Sequence, residues 1–102
     1  MGTVPLGEDL GIETCSDLKL KLAPLLAEDG ELVLDAGEVR RIHTASVQVL
    51  CAFVRTRREA GRAVRIAPCT ETLLEAARLL GVSDVLDLPA SNDNLKTVEN
   101  AA

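Results

Sequence analysis

A single-domain α/β sandwich is the architecture predicted by this sequence of 102 residues. Three observations point to it. Short aliphatic runs alternate three times with apolar residues at helical spacing, the pattern of strand followed by crossover helix. Apolar residues make up 47% of the chain, enough for one core at a length that buries roughly two thirds of the unfolded surface. Phe53 is the lone aromatic, so that core is built from Leu, Val, Ile and Ala. Crossovers of this kind are right-handed and join parallel neighbours, so the sheet is expected to be mainly parallel.

Taken in order, Thr3 to Leu6 reads as a strand that Pro5 confines to an edge or a strand end. Gly7 to Gly11 reads as an acidic turn. Thr14 is the expected N-cap of a first helix, with Asp17 in an approximate capping-box position. Leu18, Leu22, Leu25 and Leu26 carry that helix to about Ala27, with Pro24 kinking its last turn. Leu32-Val33-Leu34, within Glu31 to Ala36, suits a buried strand. A connection from Gly37 to Ile42 leads to a second helix, Thr44 to Ala60, with Val47, Leu50, Cys51 and Val54 as its buried stripe. Arg55, Arg57 and Arg58 fall near its end, where positive charge complements the helix dipole. Ala63 to Ala67 is the next strand, stopped by Pro68. Thr70 caps a third helix carrying Leu73, Leu74, Ala77 and Leu80, and Gly81 ends it. Ser83 begins a further turn over Val85, Leu86 and Leu88. Residues 1–90 form the expected domain, and 91–102 are an expected disordered tail.

Composition narrows the function. The chain carries a formal charge of −5 and one aromatic ring, so neither phosphate neutralisation nor base stacking is provided for, and nucleic acid is not the expected partner. The charge is uneven. Residues 1–38 carry two Lys against nine acids, 39–65 carry seven Arg against Glu59, and 66–102 carry two basic against six acidic residues. The basic centre is either a docking surface or a solvated helix face. The longest stretch free of Asp, Glu, Lys and Arg, Ile42 to Val54, is shorter than the ~20 residues of a membrane span, so no direct insertion is expected. Cys15, Cys51 and Cys69 lack CxxC or metal-ligand spacing, which suits reduced thiols in the cytoplasm. No cofactor and no metal are expected.

The centre of the sequence resembles a STAS domain. That likeness rests on Leu32-Val33-Leu34-Asp35, Val39, and Ile42-His43-Thr44-Ala45-Ser46, set against a family strand ending in Leu-Asp and an Ile-Asp-Ser-Ser-Gly-like turn that opens a long helix. Gly61-Arg62-Ala63-Val64-Arg65-Ile66 resembles the next family strand. Ala67-Pro68-Cys69-Thr70 stands where Asn-Pro-Ser-Pro is common, and Leu73 to Leu88 is similar to the closing helix. The resemblance implies a STAS-like sandwich: a small mixed, mostly parallel sheet of about four strands, with helices packed mainly on one face. The opening of the chain is short for the family, so one early strand is expected to be missing.

The departures concern function. In anti-sigma-factor antagonists the second Ser of the turn is phosphorylated, and Ala45 stands there without a hydroxyl. Thr44, at the first Ser, is the matching hydroxyl and hence the phosphorylation candidate. Thr-containing STAS proteins of lipid-transport ABC systems and of chemotaxis gene sets are more similar. Thr44 is expected at the start of the second helix, as an N-cap and at the interface. Asp35, Arg41, His43, Thr44, Ser46 and Gln48 form the expected partner-binding set, with Ser46 and Gln48 exposed and Val47 inward. The resemblance implies a protein partner: a kinase-like anti-sigma factor, a chemotaxis component or an ABC-transporter ATPase, with a homodimer as a further expectation. It implies no catalytic residue. The alternative from another class is a small enzyme using Cys69, just before a helix start where thiolate is favoured, or His43. Asp35 alone is weak support for acid–base chemistry.

Overall fold

The computed structural model describes residues 2–88. Strands β1 (Gly2–Pro5), β3 (Leu32–Ala36) and β5 (Val64–Cys69) form a parallel sheet in the order β1-β3-β5. Two-residue strands β2 (Asp9–Leu10) and β4 (Arg41–Ile42) form a separate parallel ladder. Helices α1 (Cys15–Leu22), α2 (Thr44–Glu59) and α3 (Glu71–Leu79) complete the fold. The segment read as a simple turn between Gly7 and Gly11 thus contains β2. A strand of two residues is too short for alternation to register in sequence. The expected tail, residues 91–102, lies outside the described residues.

Alternation sets the sandwich. Leu32, Leu34 and Ala36 of β3 are buried with Val64 and Ile66 of β5, whereas Val33 and Asp35 are half-buried and Thr3 and Arg65 are exposed. Period-two geometry therefore gives the sheet one core face. Onto it pack Leu18 and Leu22 of α1, Val47, Leu50, Phe53 and Val54 of α2, and Leu73 and Ala77 of α3. Side chains of this size contribute about 1.5–3 kcal/mol each on full burial, so the helices cover mainly one face. On β1 the amide of Gly2 donates to Glu31 O, and that of Leu6 just beyond the strand donates to Asp35 O. Even-numbered amides thus point into the sheet, and Pro5 falls on the outward side, where a missing N–H breaks no ladder bond.

Three local expectations are corrected. The Thr14 hydroxyl does not cap α1: it donates to the carbonyls of Asp9 and Gly11, at 3.0 and 3.1 Å, which holds the 3₁₀ turn Ile12–Thr14 in front of the helix. The α-helix ends at Leu22 and passes into a 3₁₀ segment, Ala23–Ala27. Pro24 has no amide to continue the i−4 pattern, so the chain tightens there. Pro68 does not stop β5. Leu34 pairs with Ile66 but Ala36 pairs with Cys69, so β5 has one extra residue at a bulge, a place on an edge strand where proline is accommodated.

The largest correction concerns Arg57. Expected to complement the helix dipole at the end of α2, it is instead fully buried. Its Nη1 donates to Leu25 O and Glu28 O at 2.8 and 2.7 Å, and its Nη2 to Gly30 O and Ala63 O, both at 2.8 Å. One guanidinium thereby ties together the end of α2, the 25–30 segment and the entry to β5. No carboxylate pairs with it among the described residues, so carbonyl dipoles carry its solvation. Around it α2 closes in a Schellman arrangement, with Arg62 N–H donating to Arg57 O at 2.8 Å and Gly61 N–H to Arg58 O at 3.0 Å. Gly61 takes φ +76° there, a conformation that glycine adopts without strain.

Replacing Arg57 by Leu removes one donor from four carbonyls at once, leaving Leu25 O and Ala63 O with only the amides of Glu28 and Leu32 and taking from Glu28 O and Gly30 O the donor they have. The expected loss is about 3 kcal/mol or more, read by urea denaturation. Arg57→Lys, with a point charge in place of the fork, is expected to recover only part of it.

Candidate functional site

The β2–β4 ladder positions the start of α2. Asp9 aligns with Arg41 and Leu10 with Ile42. The amides of Arg40 and Arg41 donate to Glu8 O, and that of His43 to Leu10 O at 2.9 Å. The chain enters α2 already fixed to the segment after β1. Between β3 and this ladder, Asp35 Oδ1 accepts from Gly37 N–H at 2.8 Å, a local turn bond. Gly37 is required there, since a Cβ would lie 2.8 Å from Pro68 Cγ.

Capping differs from the expectation by one residue. His43 has extended φ/ψ, −104° and 153°, and its Nδ1 accepts from Ala45 N–H at 3.0 Å. The imidazole is the N-cap, and Thr44 is the first residue of the helix, exposed. Its hydroxyl has no hydrogen-bond partner among the described residues. Gln48, one helical turn on, is exposed on the same side of α2. Arg41 is exposed and stands 4.0 Å from Asp9. Such a pair between exposed groups contributes little to stability.

Ser46 departs from the expected set. It is fully buried, and its hydroxyl has no hydrogen-bond partner. Position 46 falls on the side of the helix shared with Leu50 and Val54, so the 3.6-residue period turns it inward. An unsatisfied buried hydroxyl costs about 1–3 kcal/mol. Asp35 is half-buried and engaged by Gly37, so its role is to shape the loop at the carboxyl end of β3. Arg41, His43, Thr44 and Gln48 are thus each exposed at or near the start of α2, Asp35 lies in the turn after β3, and Ser46 is buried.

Ile12 was not anticipated. It is 62% exposed in the 3₁₀ turn that packs against α2. The turn is held by Gly11 N–H donating to Asp9 Oδ1 at 2.8 Å and by the Thr14 hydroxyl. The available sequence signal was Asp9 two residues before Gly11, an Asx-type turn. Nothing in the sequence marked the isoleucine itself as outward.

The surroundings of Cys69 do not favour a reactive thiolate. Cys69 ends β5, half-buried, with Sγ donating to Ile66 O at 3.5 Å. Burial pushes its thiol up to about 11, against the thiolate character expected beside a helix start. Burial likewise raises the Cys51 thiol, with Arg55 opposing. Among the described residues no group of three or more His, Cys, Asp or Glu side chains could hold a metal ion. A cleft of about 170 Å³ between the end of α1 and α2 is lined by apolar side chains, including Leu22, Leu26 and Phe53, with Lys19 its charged member. No helix among the described residues is long and apolar enough to cross a membrane.

Two outcomes follow for stability and reactivity. His43→Ala, which deletes the cap, is expected to cost about 1 kcal/mol. Ser46→Ala, which removes an orphan hydroxyl, is expected to be neutral or stabilising by up to about 1 kcal/mol; chemical denaturation of both variants checks the pair. Because the Cys69 thiol titrates higher folded than unfolded, the stability it adds is complete below the ordinary thiol range, about pH 8.5, and is lost as pH rises towards 11. Its alkylation is expected to be slow at neutral pH and to accelerate towards pH 11, followed by mass spectrometry of the Cys69 peptide.

Comparison with known proteins bears on the whole arrangement. No curated protein matches the sequence. A family model described as "Mlab, STAS domain" matches residues 1–88, a span that takes in the sheet, the β2–β4 ladder and all three helices. With that match over the fold just described, the chain belongs to the STAS domain family.

Proposed function

We propose that this protein is a non-enzymatic regulatory module that docks a protein partner through the start of α2, with Thr44 as a phosphorylation site that switches docking. STAS domains in general serve as regulatory, protein-interacting modules. The observation that carries the proposal is the displaced cap. With His43 satisfying the Ala45 amide, the Thr44 hydroxyl is free at the surface. A phosphate there would add up to two negative charges at the positive end of α2 and redraw the contact face. Arg41, His43 and Gln48 surround it as further contact residues, and Asp35 sets the neighbouring loop. The setting proposed is bacterial cytoplasmic signalling of the anti-sigma-antagonist or chemotaxis-associated type.

A second reading has its own observation. The position modified in anti-sigma-factor antagonists is Ala45, half-buried behind the imidazole cap. That supports a constant accessory subunit of a lipid-transport ABC complex, docked through the same face without a switch.

Affinity isolation of the chain from its native cells, with mass spectrometry of companions and of Thr44, separates the two. The switch predicts phosphate on Thr44 and a Thr44→Glu variant that loses or gains companions while its circular dichroism stays unchanged. The constant subunit predicts transporter proteins retained by both chains. Recovery of the same companions with Thr44→Glu and no phosphate on Thr44 would exclude the switch.

A further inference from the structure

We propose that the cap of α2 is operated by a proton on His43: the neutral ring holds the Ala45 amide and protonation releases it. The bond from Ala45 N–H to His43 Nδ1, 3.0 Å long, assigns the tautomer. Only an unprotonated Nδ1 has a lone pair to accept with, so the ring hydrogen resides on Nε2. Helix N-caps are ordinarily Ser, Thr, Asp or Asn, whose side-chain oxygens remain acceptors at neutral pH. Histidine is the side chain that changes charge between about pH 5 and pH 8. Once protonated, the ring is a donor at both nitrogens. The Ala45 amide then meets another N–H, and a cation stands at the positive end of α2. The ring has to turn away.

The surroundings leave this event to the ring. His43 is exposed, so the proton comes from solvent. The charged groups on the elements around it are Glu8 and Asp9 at β2, Arg40 and Arg41 at β4, Glu13 in the 3₁₀ turn, and Glu71 at the start of α3, which packs on β4. The first turn of α2 has no acidic residue, and no carboxylate forms an ion pair with the ring among the described residues. The His43 amide remains bonded to Leu10 O, so release is confined to the helix side of the turn. On that side the amides of Ser46 and Val47 keep donating to His43 O, at 2.9 and 3.2 Å, so what protonation frees is the Ala45 amide. The bearing of this switch on docking rests on the reading of the same turn as the contact surface.

The test is a pH titration, from about 5 to about 8, of the full ¹⁵N-labelled chain, following the His43 ring protons, the Ala45 amide shift and its hydrogen exchange. The expected result is an Ala45 shift with the midpoint of the ring, and protection, corrected for intrinsic exchange, that falls on the acid side. In His43→Asn, a cap that does not titrate, both changes should vanish while Ala45 stays protected. Protection of Ala45 that is indifferent to the ring's titration overturns the proposal, as does persistence of both changes in His43→Asn. Neither readout needs a partner. If both come out as expected while the same companions are recovered on either side of the transition, the docking reading fails and the proton-operated cap stands.

Discussion

The guanidinium of Arg57 is the contact on which the lower half of the molecule depends. Four carbonyls from two stretches of chain, 25–30 and the entry to β5, converge on it, and backbone amides reach only Leu25 O and Ala63 O among them. The 3₁₀ segment after α1 offers Leu25 O, its exit offers Glu28 O and Gly30 O, and the entry to β5 offers Ala63 O. A neutral side chain of this size could not supply four donors in one plane. Because Ala63 O also accepts the Leu32 amide, the same residue that meets the arginine begins the pairing of β3 with β5. The central register and the end of α2 are therefore set at one point.

The opposite end of the sheet is organised by a weaker device. There the β2–β4 ladder, only two residues per strand, fixes the entrance to α2 by backbone bonds to Glu8 and Leu10. This division suits an interaction module. The deep, charge-assisted contact secures the fold at one end, and a surface held by few bonds is presented at the other. At that end the first turn of α2 is fixed by backbone bonds to His43 O and capped by an imidazole, with an orphan hydroxyl at Ser46.

Much of this was legible in the sequence. Leu32-Val33-Leu34 and Val64-x-Ile66 announced the two inner strands, because alternation against a single core face is a strong local pattern. The Val47, Leu50, Cys51, Val54 stripe placed α2, and Thr70 capped α3 as expected, accepting from Leu73 N–H at 3.3 Å. What escaped depends on contacts distant in the chain. Arg57 reads as one of several arginines near a helix end, and its burial comes from carbonyls 27 to 32 residues earlier. Ser46 looks polar and therefore outward, but helical phase places it inward. Histidine as the cap could not be distinguished from threonine as the cap, since the two candidates are adjacent and only backbone dihedrals decide between them.

Proline at both outer strands has a consequence for how the protein can associate. On β1 the outward-facing amides are those of the odd-numbered residues, and one of these positions is Pro5, which has no hydrogen to offer. On β5 the run is broken by Pro68 at the bulge. Neither border of the sheet can therefore template an uninterrupted extra strand. Any companion, including another copy of this chain, is steered towards recognition by side chains on the helices and loops, and lateral growth into a continuous sheet is blocked from both directions.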